Sequence, residues 1–199
     1  DAVGGRLDVP SHEARIYASL AEAEFLDHPD VAAAPQYALV VDNCPLVQAA
    51  FLYWRLMPGE WELVGASPAS TGCSARAGHV PTPVGVFAQA SRQRPDTPAG
   101  ARVYDFGVQR APRPGGGFAP LHLRVRAADG AARTLLGTPH SDGCVLLPPS
   151  LVAFLDQYGV LDAAAGARTT RGGERLPFAG RYMVVLDSER DARPGWTLS

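Results

Sequence analysis

The chain has 199 residues, 46% of them apolar, and 18 basic against 20 acidic residues give a formal net charge of −2. That suits one domain with a real core, or a domain with a small appendage, and it supplies no pull toward nucleic acid or an anionic membrane surface. All 18 basic residues are arginine, which reads as composition and not as a phosphate-binding device, and no apolar run approaches the roughly 20 residues that would span a bilayer.

In chain order, residues 1–10 read as a lead-in, and Ser11 to about Phe25 as a helix that Ser11 can cap. Ile16, Tyr17, Leu20, Ala21 and Glu24 fall at helical spacing, and the Asp27-His28-Pro29-Asp30 run stops it. From Gln36 the period becomes that of strands. Tyr37–Val41 is a short apolar strand, Val47–Leu56 a long aromatic one, and Met57-Pro58-Gly59-Glu60 a turn that returns the chain as Trp61–Ala66. Ser67–Val80 is a loop, Val84–Ala90 a strand, Arg92–Gly100 a polar loop, Arg102–Val108 a strand and Pro112–Gly117 a Gly/Pro loop. Leu121–Val125 is a further strand, and a turn region over Ala127–Arg133 leads to Leu136-Gly137. Ser150–Tyr158 is a short helix after Pro148-Pro149, ended by Gly159; Thr169–Glu174 is loop, Tyr182–Leu186 a closing strand, and Ser188–Ser199 a polar tail. Many short strands with few short helices predict a mostly-β domain, a barrel-like sandwich closed or half closed. Residues 1–35 form an N-terminal lead-in and helix, and 36–199 the main domain.

The stretch that carries chemistry is Ser141-Asp142-Gly143-Cys144, followed by Val145-Leu146-Leu147. Gly143 permits a tight turn and close approach of a substrate. Cys144 at that turn is either a nucleophile beside its own backbone oxyanion donors or a buried cysteine entering a strand.

Three segments together resemble the L,D-transpeptidase catalytic domain of the YkuD type. They are Ser70-Thr71-Gly72 with Thr82-Pro83-Val84-Gly85-Val86-Phe87, then Leu136-Gly137 ahead of Ser141, then Ser141-Asp142-Gly143-Cys144-Val145. The resemblance covers about Tyr37 to Leu186. It implies a β-sandwich or half-barrel, and a cysteine enzyme that acts on peptidoglycan stem peptides with no cofactor. Its acceptor is a neighbouring stem, water, or the amine of an anchored envelope protein. It also implies export, with Asp1 opening a mature form. The chain departs from the family by carrying Asp142 where a histidine is usual and Leu146 where a polar residue is usual. His122 and Arg126 bracket the place where the family carries its base, and in a strand 122, 124 and 126 share a face.

In this chemistry Cys144 attacks an amide carbonyl. His122 takes the thiol proton and returns it to the leaving amine. The N–H groups of Gly143 and Cys144 hold the oxyanion, about 3–4 kcal/mol per well-placed donor. Arg126 is no base, but it can lower the thiol pKa or clamp a substrate carboxylate. His140 is the second candidate for base or substrate contact, and a site without a working base is the third possibility, leaving a cell-wall binding domain. Asp142 either disfavours the thiolate or orients a histidine, Ser141 belongs to the motif turn, and His79 reads as rim. No metal-ligand spacing is present. Three cysteines leave two arrangements open: a Cys44–Cys73 pair with Cys144 alone, or three reduced thiols.

Overall fold

The computed structural model describes residues 5–28, 31, 35–73, 78–93, 102–113, 115–163 and 178–197. The loop expected at Thr169–Glu174 and most of that at Arg92–Gly100 lie outside them. Helix α1 (Ser11–Leu26) begins after extended Pro10, and no side chain caps it, so Ser11 opens the helix instead of capping it. Its buried face carries Glu13, Tyr17, Ala21 and Phe25. Ile16 and Leu20, expected to face inward, are 46% and 40% exposed. Two four-residue steps, from Tyr17 through Ala21 to Phe25, place the aromatic pair on one line, and those large rings decide which face docks.

One sheet contains β1 (Gln36–Asp42), β2 (Ala49–Met57), β3 (Glu60–Pro68), β4 (Gly85–Ala88) and β9 (Tyr182–Leu186), in the order β3-β2-β1-β9-β4. The second contains β5 (Ser91–Gln93), β6 (Val103–Pro112), β7 (Phe118–Ala127) and β8 (Val145–Leu147), in that order. β2 and β3 form the expected hairpin, with Leu52 opposite Gly65 and Trp54 opposite Glu62. β1 runs parallel to β9 and β7 parallel to β8, so each sheet is mixed.

β1 explains its own continuous apolar run. Leu39 and Val41 lie in the core between the sheets, while Ala38 and Val40 face a second core beneath α1. A strand covered on both sides has no polar face to alternate. The inter-sheet core takes Leu121, Leu123 and Val125 from β7, with Val152 and Leu155 of α2 (Pro149–Tyr158) closing one side. α2 starts with Pro at its first turn and ends at Gly159 with φ 61°, the asymmetry of a short capped helix. The result is a mostly-β, half-closed sandwich with one helix on its outer face.

The C-terminal segment, polar in composition, is docked on the body of the fold. The Ser188 N–H donates to Asp42 at 3.2 Å, and Trp196 sets its ring edge-on to Tyr17 and Phe51 at 6.1 and 5.8 Å. One tryptophan in a polar run is enough to dock it. No disulfide joins any of the three cysteines, so Cys44 and Cys73 are not bonded to each other. Cys44 is buried with its thiol directed at the Arg190 carbonyl. No helix among the described residues is long and apolar enough to cross a membrane.

Candidate active site

Three sequence segments far apart in the chain meet backbone to backbone. Ser70 and Leu146 exchange hydrogen bonds of 3.0 and 2.8 Å, and the N–H groups of His140 and Ser141 both donate to the Thr71 carbonyl. Thr82 ties the third segment in: its hydroxyl accepts from the Gly72 N–H and donates to the Gly143 carbonyl, each at 2.8 Å. Glycine is required at both crossing points. A Cβ on Gly72 would stand 2.1 Å from the Val80 carbonyl oxygen and 2.7 Å from the Gly143 Cα. Gly143 has φ +126°, and a Cβ there would lie 2.7 and 2.9 Å from the Leu121 methyl carbons. Buried Gln48 pins the assembly from below, accepting from the Thr71 N–H at 2.8 Å and donating to the Thr71 hydroxyl at 2.9 Å.

This turn holds Cys144 at the head of β8. β8 pairs with β7 so that Val145 lies opposite Val125, which sets Cys144 level with Arg124. The thiol is 8% exposed as a residue and donates to the His122 backbone carbonyl at 3.7 Å. Burial pushes its pKa up, and the Asp142 carboxylate adds to that. The Arg124 backbone N–H and the Arg126 charge pull the other way without prevailing. Ser141 braces the loop from within, its hydroxyl donating to the Cys144 carbonyl. The Gly143 N–H, expected to face a substrate oxygen, donates instead to the Ser141 hydroxyl at 3.1 Å. A serine two residues before a tight turn competes for that donor, a local preference of its own.

His122, Arg124 and Arg126 share the outward face of β7, as the strand period requires. The imidazole of His122 is turned from the thiol toward β6: Nε2 meets Asp105 Oδ1 at 2.8 Å, and Nδ1 accepts from the Arg124 guanidinium at 3.0 Å. What His122 presents to the sulfur is its main chain, and no imidazole nitrogen is among the thiol's partners in the described residues. Arg126 is half-buried between Val103 of β6 and Leu146 of β8. His140 is half-buried beside Ser70, which accepts from its N–H at 3.2 Å, and Asp142 is exposed. His79, read as rim, is tied into the motif: its Nδ1 donates to the Ser141 carbonyl at 2.9 Å.

Asp105, Arg124 and Gln48 escaped the sequence reading. Arg124 carried a signal, since it stands between His122 and Arg126 on the face already singled out. Asp105 and Gln48 carried none, because only strand register brings in the first and only side-chain bonds to the distant Thr71 bring in the second. No cluster of three or more His, Cys, Asp or Glu fit to hold a metal occurs among the described residues.

No protein-family model matches the chain, and no curated protein matches it. Solved structures that resemble it include an L,D-transpeptidase from Mycobacterium smegmatis, at 17% identity and TM-score 0.41 over 76% of this chain and 59% of that one. The L,D-transpeptidase LdtMt1 in complex with imipenem gives 19% identity and TM-score 0.40, over 76% of this chain and 59% of that one. The helical cell shape determining protein Pgp2 from Campylobacter jejuni gives 12% identity and TM-score 0.40, over 88% of this chain and 58% of that one. The chain thus spans less than two thirds of the length of each of these three.

Proposed function

We propose that the chain is an exported cysteine acyltransferase of peptidoglycan stem peptides, of the L,D-transpeptidase kind, with Cys144 as nucleophile. The observation that supports it is the convergence of the Ser70-Thr71-Gly72, Thr82 and Ser141–Cys144 segments on one thiol, beside a strand face that carries His122 and Arg126. Such close backbone packing is what a turn needs in order to hold a nucleophile in place.

The thiol proton passes to His122, with Asp105 holding the ring in the third-group role of triad logic. The thiolate bonds to the substrate carbonyl carbon, and the Cys144 N–H faces the developing oxyanion. The proton returns to the leaving amine, and an incoming amine or water then releases the acyl group. Arg126 receives the substrate carboxylate, His140 and Asp142 border the cleft, and Ser141 and Gly143 keep the turn.

The second reading is a cell-wall binding domain that kept the fold and lost the base. The buried thiol, its raised pKa and the ring turned toward Asp105 favour it. Intact-protein mass after incubation with a carbapenem-type acylating agent separates the two. An adduct that disappears in Cys144→Ser supports the enzyme. A chain that stays unmodified after long exposure at pH 8 supports the binder.

A further inference from the structure

The two nitrogens of the His122 ring are both engaged, and their partners agree on where the proton sits. Asp105 presents a carboxylate, which accepts, and Arg124 presents a guanidinium, which only donates. The ring proton therefore lies on Nε2, facing Asp105, and the Nδ1 lone pair is covered by Arg124. This is the tautomer a general base needs, with its basic nitrogen stoppered by a cation. The thiol is close to the same residue, since it donates to the His122 carbonyl at 3.7 Å while its own pKa is raised. Arg124 is also under-satisfied. Its Nε–H is buried and has no acceptor among the described residues, so the guanidinium gains a partner if it shifts toward an anion.

We infer that Arg124 is a positioning residue that keeps His122 from the Cys144 thiol until a substrate carboxylate draws its guanidinium away, so that the nucleophile is activated only by anionic substrates. The Cys144 and Asp105 strands flank β7 on opposite sides, and both residues are level with Arg124. A carboxylate bound between Arg124 and Arg126 offers the paired acceptors that a guanidinium fork prefers to one ring nitrogen. Nδ1 is then open, and side-chain rotations of Cys144 and His122 bring the S–H from the His122 carbonyl to it. The proton moves from sulfur to Nδ1, giving an imidazolium held through Nε2–H by Asp105 and a thiolate free to bond to a carbonyl carbon. That proton later goes to the leaving amine. This gating rests on the acyl-transfer reading for its purpose, but not for its test.

The test is alkylation of Cys144 at pH 6.5–7, followed by site-resolved peptide mass analysis so that Cys44 and Cys73 do not interfere. The probes are neutral iodoacetamide and anionic iodoacetate. A bare thiolate prefers iodoacetamide. The intact protein should invert that preference, since iodoacetate brings the carboxylate that draws Arg124 off. Arg124→Gln should raise the iodoacetamide rate about tenfold by freeing the base, and adding His122→Ala should return it to the starting level. Nitrogen-15 spectra of the unmodified protein supply a readout independent of any variant's folding, with His122 expected to carry its proton on Nε2. A proton on Nδ1, or an iodoacetamide rate that Arg124→Gln leaves unchanged, overturns the inference. Failure of the acyl-transfer reading looks different: the alkylation pattern holds, while carbapenem and stem peptide leave Cys144 unmodified.

Discussion

Glu22 and Arg55 meet at the seam between α1 and the β2–β3 hairpin, and Asp105, His122 and Arg124 meet on the face of β7; the two clusters use the same chemistry to opposite ends. At the seam the guanidinium grips Glu22 with both prongs, at 2.9 and 3.1 Å, and Trp61 adds a third donor at 2.6 Å. The Arg55 side chain is 4% exposed, with its charge 5.4 Å from the Phe25 ring and 5.8 Å from Trp61. Burial alone would raise the Glu22 carboxyl, but the hydrogen bonds from Arg55 and Trp61 outweigh it and leave it below its ordinary range. On β7 nothing closes in this way. Arg124 spends one nitrogen on an imidazole and leaves Nε without an acceptor among the described residues, and burial favours the protonated form of the thiol beside it. A closed fork fixes two elements, whereas an open one next to a thiol has somewhere to go when an anion arrives.

The largest effect should come from the open cluster. His122→Ala is expected to slow acylation of Cys144 by about 10²–10⁴-fold, the usual loss for a general base. Glu22→Gln should leave that rate within about twofold, as befits a distant structural pair. The rate of adduct formation by intact mass checks both, and an unchanged rate in His122→Ala would place the ring among the scaffold.

The closed cluster should dominate stability. Arg55→Ala strands a mostly buried carboxylate and should cost about 3 kcal/mol, which lowers the melting temperature by roughly 6–12 °C in a chain of this size. Arg126→Ala, at a half-buried site, should stay within about 0.5 kcal/mol. Because the Glu22 pKa is depressed on folding, its contribution is present above the unfolded carboxylate value of about 4.3 and is lost as pH falls through the lower folded value. Urea midpoints at pH 7 and pH 3 should therefore differ more for the parent protein than for Glu22→Gln.

Gly143→Ala joins the two kinds of effect. The new methyl must displace the Leu121 side chain, and the backbone must hold φ near +126°, so a loss of about 2 kcal/mol is expected together with slower acylation. Thermal melting and adduct rate on the same sample decide it, and a loss of stability with no change in rate would divorce the turn from the thiol.

What the sequence made legible follows from locality. The short helix before Gly159, the hairpin over Met57-Pro58-Gly59-Glu60 and the closing strand at Tyr182–Leu186 are written in neighbouring residues, and they stand where the pattern puts them. The three-residue β5 and the parallel pairings of β1 with β9 and β7 with β8 are set by partners far along the chain, which no local period reports. The convergence of Ser70-Thr71-Gly72 on Ser141–Cys144 was readable only through the order of the motifs. The direction of the His122 ring was not readable at all. Strand alternation gives the face a side chain takes, but the turn toward Asp105 depends on a register that places Asp105 opposite Arg124. The docked face of α1 was legible only in part, with Tyr17 and Ala21 buried but Ile16 and Leu20 exposed, for a related reason: Ile16 and Tyr17 are adjacent, and only the rings waiting on β2 favour the second. Tyr17 stacks on Phe51 at 4.2 Å between centroids.

The smallest predicted effect is the most diagnostic of the open cluster, because it asks for opposite signs from two charges beside one sulfur. After burial, the Asp142 carboxylate is what raises the Cys144 pKa, and Arg126 is among the groups that lower it. At pH 7 the sulfur is mostly thiol, so its reactivity follows the small thiolate fraction, which changes tenfold for each pKa unit. Asp142→Asn removes a neighbouring negative charge, raises that fraction and should speed alkylation by iodoacetamide about threefold. The gain is modest because Asp142 is exposed and water screens its charge. Arg126→Gln removes a positive charge and should slow the same reaction by a similar factor. Both differences should shrink as the pH rises past the thiol pKa, where every variant is thiolate. Two changes of the same sign, or differences that persist above the pH at which alkylation of the parent protein levels off, would mean that the substitutions act by reshaping the turn and not through charge at the sulfur.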